Sequence, residues 1–125
     1  MYRTIIAAAL VSTCATAHEM TPTYPEMRIS FIEGVYQTSL TLFNRREEIE
    51  FYQVEVFTES FEGVPFATPY RIIASPHLQR VQFDVYIRES DLDQAHYICT
   101  RSKIARSDSS RQAVTSRICS KIRKD

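Results

Sequence analysis

The sequence predicts an all-β chain folded as an antiparallel sandwich of two sheets with about seven strands. Apolar residues recur at every second position through most of the chain, and no window keeps them at helical spacing for three turns. Turn-forming clusters fall between these runs about every ten residues. The balance of 15 basic and 15 acidic residues with 44% hydrophobic content is that of a folded chain.

The N-terminus reads as a removable export signal over residues 1–17, leaving a single domain over 18–125. Arg3 supplies a cation, residues 5–11 an apolar run too short to span a bilayer, and Ala15-Thr16-Ala17 a small-x-small cleavage pattern. Two other readings compete. The run could be a buried N-terminal strand, or residues 10–14 could be a lipoprotein processing site with Cys14 as the lipid-bearing residue, although Thr13 stands where a small residue is expected. Periplasmic or secreted localisation follows from the signal, with no transmembrane segment in the mature chain.

Strands are expected over 27–32, 36–43, 49–58, 70–74, 80–88, 95–103 and 114–123. The cleanest is 80–88, where Val81, Phe83, Val85 and Ile87 alternate with polar residues and Tyr86, as one buried face requires. Turns are expected at Glu33-Gly34, 44–48, 62–65, 75–77, 89–94 and 107–111. Seven short strands at this spacing favour an immunoglobulin-like sandwich, with an antiparallel barrel as the alternative.

Loss of Cys14 with the signal leaves Cys99 and Cys119, hence one disulfide. If their strands are antiparallel neighbours, the hairpin centres on Ser109, inside the most turn-like stretch of the chain. Closing a loop of about 20 residues stabilises a fold by roughly 3 kcal/mol in the chain-entropy model. The bond reads as structural, since the chain has no CxxC. The same register sets Arg101 opposite Arg117, with Lys103 and Lys121 on that face. Like charges directly opposite destabilise a strand pair, so either a bound carboxylate or phosphate offsets them or the side chains splay into water.

Residues 64–76, from Val64-Pro65-Phe66-Ala67-Thr68-Pro69 through Arg71-Ile72-Ile73-Ala74-Ser75-Pro76, followed by Gln79-Arg80-Val81, carry a resemblance. Arg28-Ile29-Ser30-Phe31 through Gly34, then Ser39 to Asn44, extend it. The pattern resembles the N-terminal, immunoglobulin-like domain of the PapD-like periplasmic pilus-assembly chaperones, over roughly residues 21–104. The resemblance implies β-augmentation, in which an edge strand pairs with a pilin subunit and alternate apolar side chains fill its groove. It also implies a basic anchor for the subunit's carboxylate: Arg28 on the first strand, and Arg117 or Lys121 on the last. The implied donor residues are Val114, Ile118 and Ile122. Departures from the family pattern are Arg117 where Lys is expected, His77 where Gly is usual, an acidic motif reduced to residues 91–94, and no second domain after Asp125.

Charge is divided along the chain. Residues 101–125 hold eight cations against two acids, and residues 18–100 hold six against thirteen. A basic surface for an acidic partner is one explanation, and pairing with the acidic body of the same domain is the other. Export makes nucleic acid an unfavoured partner. No catalytic chemistry, metal or cofactor is expected: His18, His77 and His96 stand apart from other metal ligands, and two glycines, Gly34 and Gly63, leave no phosphate loop or nucleophile elbow. The expected function is chaperone-like binding of pilus or secreted subunits through the last strand and the cluster Arg28, Arg101, Arg117 and Lys121. The alternative is a structural, accessory or adhesive subunit of a pilus, secretion or conjugation apparatus.

Overall fold

The computed structural model describes residues 18–103 and 115–124. The expected signal over residues 1–17, Cys14, Val114 and the hairpin turn at Ser109 lie outside the described residues. The chain forms strands β1 (His18–Thr21), β2 (Arg28–Ile29), β3 (Val35–Asn44), β4 (Phe51–Phe57), β5 (Ile72–Ala74) and β6 (Arg80–Arg88), a single helical turn α1 (Glu89–Leu92), then β7 (Tyr97–Lys103) and β8 (Arg117–Lys121).

Two antiparallel sheets result. In one, β6 lies along one side of β3, while β1 and β2 follow one another along its other side. The second has the order β5-β4-β7-β8, so β8 is an edge strand. Their apolar inner faces meet: Leu40 and Leu42 of β3 and Phe83, Val85 and Ile87 of β6 pack with Tyr52, Val54 and Val56 of β4 and Ile98 of β7. Strict alternation drives this, because a strand's successive side chains point to opposite faces.

The expected strands are found, with shifted ends. The one over 27–32 shrinks to Arg28–Ile29 because Ser30 closes a turn: its hydroxyl donates to the Val35 carbonyl at 2.6 Å and accepts from Ile32 N–H at 3.1 Å. Gly34, at φ +76°, completes that turn in a conformation glycine adopts at little cost. The expected turn over 89–94 contains α1, ended by Gln94 N–H on the Asp91 carbonyl. An eighth strand, β1, was not expected. Its four residues carry no periodicity, and it forms by pairing His18 to Thr21 with Asn44 to Thr41.

Between β1 and β2 the chain crosses toward the second sheet. Lys121 N–H donates to the Thr23 carbonyl at 3.0 Å and Arg123 N–H to the Pro25 carbonyl at 2.8 Å. Asn44 closes the far end of β3. Fully buried, its amide donates to the carbonyls of Ile49 at 2.6 Å and Ser75 at 2.8 Å, while its oxygen accepts from Arg46 N–H and the Tyr52 hydroxyl. Replacing Asn44 by Ala strands several of these buried groups and should cost about 3 kcal/mol in urea unfolding.

His18, 1% exposed, packs its ring 4.6 Å from that of Tyr52 and shares a hydrogen bond of 3.0 Å with Thr100 Oγ1. Burial pushes its imidazole down to about 4 from the ordinary 6.5, partly opposed by the Thr100 contact and assisted by the nearby Arg46 charge. Above pH 6.5 the ring is neutral whether the chain is folded or unfolded. Between 6.5 and 4 the unfolded chain takes a proton that the folded chain refuses, so stability should fall across that window by up to about 3 kcal/mol and level off below it. Unfolding curves across this range should show the loss, and His18→Gln should flatten it.

Candidate partner-binding surface

β7 and β8 pair in the register that the cysteine spacing implied: Cys99 stands opposite Cys119, joined as a disulfide, and Arg101 opposite Arg117. With β4 they form a grid on the outer face of the second sheet. Phe57, Tyr97 and Lys121 make one row, Glu55, Cys99 and Cys119 the next, and Gln53, Arg101 and Arg117 a third. Lys103 lies at the far end of the hairpin, opposite Phe51 of β4.

The offset to the arginine pair is internal. Glu55 brings one carboxylate oxygen within 3.5 Å of Nε of both Arg101 and Arg117. That separation is ion-pair range but longer than a hydrogen bond. The Glu55 oxygen and Arg101 Nε are both shut off from solvent without a hydrogen-bond partner, so the attraction is coulombic. Arg101 is held further by donating to Gln53 Oε1 at 3.2 Å, and Arg117 by lying 5.1 Å over the Phe57 ring. Phe57 belongs to an aromatic stack in which Phe61 lies flat on Tyr97, centroids 4.8 Å apart. Phe61 reaches that position from a backbone φ of +62°, a left-handed conformation that is costly for a bulky residue.

The other sequence-predicted residues are dispersed. Arg28 sits on β2 in the opposite sheet, largely exposed, 3.7 Å from Glu26. Ile118 is half-buried against the core, and Ile122, 2% exposed, belongs to it. Both isoleucines thus point inward in this structure rather than toward a partner. Lys121 is exposed on the outer face. Sequence reasoning missed Glu55, Phe57, Phe61 and Tyr97. The available signal was the alternation Gln53, Glu55, Phe57 within the expected strand, which puts one acid on the same face as the arginines once β4 is known to flank β7.

The outer edge of β8 is defined by its hydrogen bonds. Ile122 N–H turns to the His96 carbonyl beside β7 and the Ser116 carbonyl accepts from Ser102, whereas Lys121 N–H turns away to Thr23. Backbone groups alternate in direction along a strand, so those of Arg117 and Cys119 point away from β7. On that side residues 18–25 run alongside: His18 Nδ1 lies 3.4 Å from Ser116 Oγ, Ser120 Oγ donates to the Pro22 carbonyl at 2.9 Å, and Lys121 and Arg123 N–H donate to Thr23 and Pro25.

A separate concavity of about 570 Å³ lies at the edge of the first sheet, between Phe31 and Ile32 on one wall and Pro65 and Phe66 on the other. Residues that carried the sequence resemblance supply both of its walls. Among the described residues no helix is long and apolar enough to cross a membrane.

Replacing Glu55 with Gln leaves the half-buried Arg101 guanidinium and the more exposed one of Arg117 without their shared carboxylate. The variant should lose about 2 kcal/mol in urea unfolding, and adding Arg117→Ala should recover part of that loss.

No family model matches the sequence, and no curated protein matches it. Among solved structures, the crystal structure of the periplasmic chaperone SfaE matches with a TM-score of 0.53 at 13% identity, covering 85% of this chain and 56% of that one. This chain therefore spans little more than half the length of that chaperone. The likeness and the two-sheet topology together establish the fold: an immunoglobulin-like antiparallel sandwich, distantly like that of a periplasmic chaperone.

Proposed function

We propose that this chain is an exported, chaperone-like protein that binds a pilus-type or secreted subunit by main-chain pairing along β8. The observation that carries the reading is the likeness of the sandwich to that of a periplasmic chaperone, with β8 last in the order of its sheet and basic side chains on its outer face. Unpaired edges are templates for a further strand, and such pairing supplies affinity through the main chain. A disulfide in the hairpin suits an oxidising, exported setting.

The basic anchor takes a different form from the one the sequence resemblance implied. Arg117 and Lys121 lie on the outer face of β8, and Arg101 acts on Arg117 through their shared Glu55. Arg28, in the other sheet, is left out of this anchor. Ile118 and Ile122 serve the chain's own core, which leaves the main chain and the outward side chains to meet the partner.

Hydrogen exchange tests this reading. The amides of Arg117 and Cys119, which point away from β7, should gain protection in complex with an exported subunit. A complex that forms without protecting them would overturn pairing along β8.

A further inference from the structure

We propose that the concavity at the edge of the first sheet binds an apolar acid, an alkyl or aryl chain ending in a free carboxylate. Its volume of about 570 Å³ is that of a small-ligand site. Phe31, Ile32, Val35 and Phe66 make the lining apolar, and the Phe31 side chain stands 85% exposed at its rim. An exposed apolar patch bordered by polar groups marks a surface that something covers. Both walls are fixed without a ligand. On one, Ser30 Oγ donates to the Val35 carbonyl at 2.6 Å and Glu89 N–H to the Gly34 carbonyl at 2.9 Å. On the other, Ala67 N–H donates to the Tyr86 carbonyl at 2.9 Å and Tyr86 N–H to the Ala67 carbonyl at 2.8 Å. Thr68 Oγ1 adds a bond to the Asp84 carbonyl at 2.7 Å, and the Arg71 guanidinium lies 4.9 Å over the Phe66 ring.

Three observations choose the class of ligand. The second wall has little backbone to offer a peptide strand, because Pro65 and Pro69 carry no N–H and Ala67 spends both its polar groups on Tyr86. A hydrocarbon chain, which needs no main-chain hydrogen bonds, suits that wall. Among the described lining residues the one with a charge is Arg88, a cation. Asp91 holds its Nε at 3.2 Å, its side chain stays 66% exposed, and its two terminal nitrogens have no ion pair or hydrogen bond among the described residues. Tyr86 precedes Arg88 by two positions on β6, so the two side chains share a face. Its hydroxyl also has no hydrogen-bond partner among the described residues. A guanidinium beside a phenol suits a carboxylate, which accepts charge-assisted hydrogen bonds from both.

The test titrates the intact protein with octanoate, octanol and octyltrimethylammonium, each below micelle formation, and follows calorimetric heat and amide chemical shifts. Octanoate should bind about tenfold more tightly than octanol, as one charge-assisted hydrogen bond allows, and the ammonium more weakly than either. The shifts should centre on Phe31, Phe66, Tyr86 and Arg88. Arg88→Gln should bring octanoate down to the affinity of octanol and leave octanol unchanged, and Tyr86→Phe should weaken octanoate alone by several-fold. Phe31→Ser, at an exposed ring, should weaken all three. Equal affinity for the acid, the alcohol and the ammonium would overturn the carboxylate preference. Octanoate shifts centred elsewhere, or binding untouched by Phe31→Ser, would overturn the site. Failure of all three to bind would overturn both, and binding to phosphatidylglycerol vesicles in place of octanoate would overturn the free acid in favour of a membrane surface.

Discussion

The pairing of β7 with β8, Cys99 against Cys119, decides the role of every side chain in the last strand. A shift of one residue would exchange the two faces, sending Arg117 and Lys121 toward the core and turning Ile118 and Ile122 to solvent. The disulfide holds the observed alignment covalently. Burial of Ile122 at 2% exposure enforces the same choice without a covalent bond. From this one alignment follow the isoleucines in the core, the cations on the outer face and the direction in which the outward backbone groups point.

A second constraint joins the sheets. Asn44 ends β3 and ties down two loops through four side-chain hydrogen bonds, one of them from Tyr52 in the facing sheet. Against the same tyrosine lies His18, which reaches Thr100 of β7. β1, the chain's first described strand, is thereby fastened across the sandwich to the hairpin strand that carries the disulfide. The connecting segment Thr23 to Pro25 then accepts from Lys121 and Arg123, closing one end of the β8 edge. Residues 18–25 thereby run along the outer side of β8.

Much of this was legible in the sequence, for reasons that differ by element. Residues 80–88 could be read because a half-buried strand has a strict period of two, and β6 occupies those bounds. The hairpin alignment could be read because two cysteines on paired strands act as a ruler. β1 could not be read: four residues without alternation become a strand only because β3 offers a partner. The inward placement of Ile118 and Ile122 was hidden for a related reason. Period two shows that Ile118 and Ile122 share a face, but which face looks inward depends on where the opposite sheet lies. Glu55 was hidden by distance, since β4 precedes β7 by more than forty residues and only the sheet order makes them neighbours. The bound anion considered for the arginines was a sound inference from repulsion, and the structure supplies that anion from within the chain.

An open edge strand is an aggregation hazard that folded proteins commonly blunt with charge. On β8 the same cations can act as guard and as filter. Arg117 and Lys121 would repel a second copy of the strand and other basic strands. For such a filter to work, the strand must stay in place when a partner pulls on its outer side. Cross-linking to β7, burial of Ile122 and the Thr23 and Pro25 contacts oppose its removal. Glu55 has a further consequence: its single carboxylate lies against two guanidinium groups, so their combined charge is reduced without being cancelled. An acid supplied by a partner would complete that balance, whereas an apolar side chain would leave the residual charge closer to a drier surface at a cost in solvation.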